Sequence, residues 1–131
     1  MIKKITLFFV TVIFFSCDFS GPIINEITTD EFKLLNSVDN IQLIDVRTVE
    51  EHNSGYIDAS LNIDFYKSSF IDSLNVLDKS KTTVVYCKSG NRSRKSALIM
   101  KSLGFKSVYN LKEGMNGWLS NRYEIIIDSL N

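Results

Sequence analysis

The sequence is poor in the residues that most often staple a fold or carry chemistry: 131 residues hold two cysteines, one histidine, one proline and one tryptophan. Two cysteines exclude a disulfide-stapled miniprotein and a four-thiolate zinc site. With His52 as the single imidazole, a metal site would need oxygen ligands or another chain. A Ser-His-Asp hydrolase would have to be built on that one ring. Net charge is lacking too: fifteen Lys and Arg balance fifteen Asp and Glu, which leaves no nucleic-acid footprint and no polybasic membrane patch. Repeats and low-complexity segments are missing as well. What is present is ordinary globular composition, 44% hydrophobic and 23% charged, at a length that holds one domain at most.

The charge balance hides an uneven start. Lys3 and Lys4 precede an apolar run from Ile5 to Phe15, followed by Ser16, Cys17 and Asp18. That is the layout of a secretory signal, with a basic end, an apolar stretch and a small residue before the cut. The run is too short to span a bilayer. It resembles a bacterial lipoprotein signal, in which a small residue precedes a cysteine that becomes lipidated and N-terminal. Ser16 and Cys17 fit that pattern, while Phe14 departs from it. The resemblance implies a signal peptide over residues 1–16, lipidation of Cys17, a tether over residues 17–26 around Pro22, and a domain over residues 27–131. The membrane would then be met only through the N-terminal lipid, with the domain facing the periplasm or exterior. Cys87 would be left as the only free thiol in a compartment where thiols tend to oxidise. Such a thiol is either inert and buried or it is chemistry.

Along the domain, apolar periodicity alternates between helix and strand. Thr28 and Glu31 have capping-box spacing and open a helix carrying Phe32 and Leu35. Ile41 to Val46 reads as a buried strand ending in Asp45, Val46 and Arg47. Thr48, Glu50 and Glu51 suit the first turn of a helix that stops before Gly55. A short strand over Ala59 to Ile63 and an amphipathic helix over Phe70 to Leu77 follow. Thr82 to Tyr86, T-T-V-V-Y, is the strongest strand in the chain. Ser93 to Leu103 reads as a helix closed by Gly104, then Lys106 to Leu111 as a strand and Met115 to Leu119 as a last helix. This alternation predicts an α/β fold, a central parallel sheet with helices on both faces.

The segment Y-C-K-S-G-N-R-S puts Cys87 at the C-terminal end of the best strand and the mouth of the next helix, where ligand sites of open α/β sheets lie. Gly90 can take a positive φ, so the loop from Cys87 to Arg92 can turn its backbone N–H groups inward as an anion nest. The helix N-terminus adds partial positive charge. Lys88 and Arg92 add full charges, and Arg94 and Lys95 stand further off. All of these favour thiolate over thiol at Cys87. The plainer alternative is a buried cysteine at a strand end, which would have no use for flanking cations.

At these residues the chain resembles the rhodanese superfamily of sulfurtransferases in its single-domain form, from Ile27 to Leu119. Three motifs match in order: L-I-D-V-R-T-V-E-E-H-N-S-G-Y-I-D-A-S-L-N-I over Leu43 to Ile63, the loop C-K-S-G-N-R-S, and L-K-E-G-M-N-G-W over Leu111 to Trp118. Tyr56 stands where the family often has His, Val49 and Asp64 replace common prolines, and Glu113 replaces the first glycine of a Gly-Gly pair. The resemblance implies that Cys87 is the nucleophile and that Lys88, Ser89, Gly90, Asn91, Arg92 and Ser93 bind the donor. It implies supporting roles for Asp45 and Arg47. It further implies that a small anionic sulfur donor such as thiosulfate loads a persulfide on Cys87, which a thiophilic acceptor then empties, with no metal, organic cofactor or nucleic acid involved.

Loop length separates this reading from a phosphatase. Tyrosine phosphatases place five residues between cysteine and arginine so that the loop encloses a phosphate, whereas four lie between Cys87 and Arg92. A non-enzymatic sulfur carrier or interaction module remains as a second reading. Disulfide chemistry is a third, although it would want a resolving cysteine. His52 reads as a packing residue before a catalytic or metal-binding one, and Trp118 as structural. Phe65, Tyr66 and Phe70 read as core aromatics, with a pocket-lining role as the sharper alternative.

Overall fold

The computed structural model describes residues 24–38 and 40–128. Five strands form one sheet: β1 Asn25–Ile27, β2 Gln42–Asp45, β3 Leu61–Asn62, β4 Thr82–Tyr86 and β5 Ser107–Leu111. Their order across the sheet is β1-β5-β4-β2-β3, and every pairing is parallel. Parallel neighbours need crossovers, so helices fill the intervals. These are α1 Thr29–Val38, α2 Val49–Asn53, α3 Phe70–Asn75, α4 Asn91–Ser102 and α5 Gly114–Ser120.

The burial of both sheet faces explains the unbroken apolar runs of the central strands. Side chains alternate along a strand, so Val84 and Tyr86 of β4 face one way while Val85 and the following Cys87 face the other. Val85 and Cys87 pack with Ile44, Val46, Phe70, Leu74, Ala97 and Met100, beneath α3 and α4. Val84 and Tyr86 pack with Leu43, Phe32, Leu111, Met115 and Trp118, beneath α1 and α5. Helices therefore cover both faces. The thiol sits on the α3/α4 side at the carboxyl edge of the central strand.

Local signals account for most element ends. Thr28 and Glu31 cap α1 reciprocally, the Thr28 N–H donating to Glu31 Oε2 at 2.7 Å and the Glu31 N–H to Thr28 Oγ1 at 3.2 Å. Thr48 and Glu51 form a second such box at α2. Gly104, at φ +94, follows α4 in the left-handed conformation that ends helices. Elsewhere the boundaries move. The helix expected over Phe70–Leu77 ends at Asn75, the strand expected over Ala59–Ile63 shrinks to Leu61–Asn62, and α4 begins at Asn91 instead of Ser93.

One assignment is corrected. The tether expected through residue 26 gives way earlier, because Ile24 is buried and Asn25–Ile27 pair with Tyr109–Leu111. Three residues with a single apolar side chain carry no periodicity, and this strand exists only because β5 offers it an edge. The signal segment and Cys17 lie outside the described residues.

Candidate active site

Cys87 follows β4 directly, and its side chain is buried at the floor of the loop that leads into α4. The Gly90 N–H points at its Sγ from 3.2 Å, and the Ser93 hydroxyl donates to the same atom from 3.4 Å. Gly90 adopts φ +96, and a Cβ there would fall 2.2 Å from the Lys112 carbonyl oxygen. No other residue fits that turn without moving the loop.

The loop is also held from behind. The Met115 and Asn116 N–H groups, at the start of α5, donate to the carbonyl oxygens of Cys87 and Lys88 at 2.8 and 2.9 Å. Gly114 permits this approach, since a Cβ on it would lie 2.4 Å from the Cys87 carbonyl oxygen. On β5, Asn110 donates from Nδ2 to the Gly90 carbonyl oxygen at 3.3 Å. The third sequence motif is thus the clamp that shapes the second.

This geometry sets the state of the thiol. Burial pushes the Cys87 thiol up, but the Ser93 hydroxyl and the backbone amides of Ser93, Ser89 and Gly90 outweigh it, leaving Cys87 below the ordinary thiol range. The leading contributions come from neutral dipoles fixed by the fold.

The cations are arranged differently from the expectation that Lys88 and Arg92 both await an anion. Arg92 grips Glu51 with two parallel bonds, Nη1 to Oε2 at 2.7 Å and Nη2 to Oε1 at 2.9 Å. The pair holds the Glu51 carboxyl down to about 2, with the Arg92 hydrogen bond as the main cause, and it raises Arg92 in turn. Arg94 pairs with Glu26 on β1. Lys88, Ser89 and Asn91 are exposed at the mouth. Tyr66, 69% exposed, lies over the Arg92 guanidinium at 5.7 Å. Phe70 is core, and half-buried Phe65 packs edge-on against both Phe70 and Tyr66.

Asp45 and Arg47 lie beneath the loop, not in it. The fully buried Asp45 carboxylate accepts from Arg47 Nε and Nη2, from the Arg47 backbone N–H, from His52 Nδ1 at 2.8 Å and from the Tyr86 hydroxyl at 3.0 Å. Arg47 also donates to the carbonyls of Glu51 and Gly55. Burial, then the Asp45 charge, keep the Tyr86 phenol protonated. Removing one partner from such a buried pair costs about 3–5 kcal/mol, because the other charge is left unmatched. The network pins the end of β2 and the start of α2, and so places Glu51. His52 is a structural residue, stacked on Tyr56 at 4.2 Å and bonded to Asp45. Trp118 is structural as well, its indole N–H donating to the Glu124 carbonyl.

Sequence reasoning missed Glu51, Asn110 and Gly114 as loop-shaping residues. The acidic first turn of α2 and the glycine of the third motif were visible, but their partners lie across the sheet. Glu113, in the place of a family glycine, has φ −95, which any residue adopts.

Comparison with known proteins agrees with this geometry. The family model described as Rhodanese-like domain matches residues 28–121. A tRNA uridine(34) hydroxylase of Pelagibacter ubique is 36% identical over 90 residues, which cover 68% of this chain and 30% of that protein. A sulfurtransferase of Allochromatium vinosum is 26% identical over 104 residues, covering 79% of this chain and 95% of the relative. The crystal structure of a rhodanese-like domain protein from Staphylococcus aureus superposes with a TM-score of 0.70 at 32% identity, covering 81% of this chain and all of that one. The chain spans 30% to 59% of the length of three curated relatives at 32% to 36% identity.

Ser93 gives the most direct handle on the thiol. Ser93→Ala removes the largest of the contacts that lower Cys87, so the pH at which the thiol becomes alkylatable by iodoacetamide should rise. An unchanged alkylation profile would mean that the hydroxyl does not stabilise the thiolate.

Proposed function

The chain belongs to the rhodanese-like domain family, and from that premise we propose that Cys87 carries sulfane sulfur from a small donor to a thiophilic acceptor. The observation that carries the reading is a buried sulfur with the Gly90 N–H and the Ser93 hydroxyl aimed at it. In the first half-reaction the Cys87 thiolate attacks the outer sulfur of a donor such as thiosulfate. The Sγ–S bond forms, the donor's S–S bond breaks, and its electron pair leaves on sulfite. In the second, an acceptor such as cyanide attacks the outer sulfur of the persulfide, and the thiolate is restored as thiocyanate departs. In each step a nucleophile's electron pair forms a bond to the outer sulfur while the S–S pair leaves on the departing sulfur, so neither asks for a proton from His52.

The loop dipoles suit both states. The amides and hydroxyl that hold the thiolate can equally hold the negative end of a persulfide, without reorganising between half-reactions. The short loop and the Arg92 pairing with Glu51 also speak against a phosphatase, which needs that guanidinium on the phosphate. Sulfurtransferase activity in the broad sense accords with the family; the donor, the acceptor and the persulfide are our reading.

We further propose that the domain is lipid-anchored through Cys17 in a bacterial envelope and faces the periplasm or exterior. Lys3, Lys4, the run from Ile5 to Phe15 and the Ser16–Cys17 junction support this.

Thiocyanate formation from thiosulfate and cyanide tests the first proposal. The native chain should show ping-pong kinetics and Cys87→Ser none, because a serine alkoxide is not available near neutral pH and cannot hold a persulfide. Equal activity in Cys87→Ser would refute it, and loading without turnover would make the chain a carrier instead of an enzyme. For the anchor, labelled fatty acid should enter the native chain but not Cys17→Ser; label in that variant would overturn the lipidation proposal.

A further inference from the structure

The guanidinium best placed to meet an anionic donor already has its charge matched. Arg92 stands in the first turn of α4, five residues beyond Cys87, close enough that a Cys87 thiolate contributes to its electrostatics. Yet both arms of its fork are taken by Glu51, the geometry in which carboxylate and guanidinium hold each other best. Glu51 is not a passing partner. Its Oε2 also accepts the Thr48 N–H at 3.0 Å, and the Thr48 hydroxyl accepts the Glu51 N–H at 3.2 Å. The capping box fixes the carboxylate at the start of α2 whether or not a donor is present. Tyr66 covers the face of the guanidinium. Arg94 is drawn off to Glu26, and Arg47 is buried on Asp45. Lys88, exposed at the mouth, has no ion pair among the described residues.

From this arrangement we propose that Glu51 is a specificity-determining residue that lowers the preference for doubly charged donors in favour of singly charged or neutral ones. The proposal rests on the sulfur-relay reading of Cys87 and names the charge class of the donor. With Glu51 ionised, Lys88, Arg92 and Glu51 together carry one net positive charge, in place of the two that Lys88 and Arg92 would carry without it. The Gly90 amide and the Ser93 hydroxyl act on the transferred sulfur whatever the rest of the donor carries. A second negative charge on the donor therefore gains little from the loop and is repelled by the Glu51 carboxylate.

Thiosulfate and the methanethiosulfonate anion separate charge from chemistry. Both give up the outer sulfur by the same S–S cleavage, releasing sulfite or methanesulfinate, but they carry two negative charges and one. With cyanide as acceptor, kcat/KM for each donor should be measured in the native chain and in Glu51→Gln, which can keep the capping box. The ratio of thiosulfate to methanethiosulfonate should rise about tenfold in the variant, the scale of one added unit-charge interaction across several ångströms of partly solvated space. It should fall back as salt is added. Thr48→Ala loosens the same helix start without removing a charge, and it should leave the ratio unchanged. An unaltered ratio in Glu51→Gln, or an equal rise in Thr48→Ala, would overturn the proposal while leaving the relay intact. Failure of both donors to load Cys87 in the native chain would bring down the relay and this proposal together.

Discussion

The structure turns on two hydrogen bonds of the main chain, from the first amides of α5 to the carbonyl oxygens of Cys87 and Lys88. A loop that leaves a buried strand has to satisfy its carbonyls somewhere. Here they are turned toward α5, and the amides that follow are left facing the other way, toward the sulfur. Gly114 and Gly90 are required on the two sides of this contact, each at a position where a Cβ would collide with a backbone oxygen. The result is a nest that exists before any ligand arrives. Preorganised dipoles of this kind need no reorganisation as charge shifts during reaction.

Full charges serve a different purpose. Asp45 gathers Arg47, His52 and Tyr86 under the sheet edge, and Glu51 takes Arg92 at the rim. Asp45 ends β2 and Glu51 stands in the first turn of α2, so the first motif stations both counter-charges. The contacts on the sulfur come from neutral groups, while the guanidiniums of Arg47, Arg92 and Arg94 are matched by carboxylates.

Much of this was legible in sequence because it is local. The T-T-V-V-Y strand, the Thr28/Glu31 cap, Gly104 and the position of Cys87 at a strand end are each written within a few residues. The alternation of strands and helices was enough for a parallel sheet covered on both faces. What was not legible is long-range. Strand β1 borrows its stability from β5. The destination of Arg92 is a carboxylate 41 residues earlier in the chain, and loop cations read in isolation look like substrate ligands. His52 has a sequence environment that says packing, yet its Nδ1 is committed to Asp45. Glu113 stands where the family pattern has a glycine, and its φ of −95 is one that any residue adopts.

The central claim is that Cys87 holds a transferable sulfur, and intact-protein mass spectrometry tests it most directly. Reduced chain exposed to a sulfane donor and freed of excess reagent should carry one added sulfur atom, located by peptide mapping on Cys87 and removed by cyanide. A chain with a reduced, alkylatable Cys87 that gains no sulfur from donors of either charge, while hydrolysing an aryl phosphate, would contradict the account.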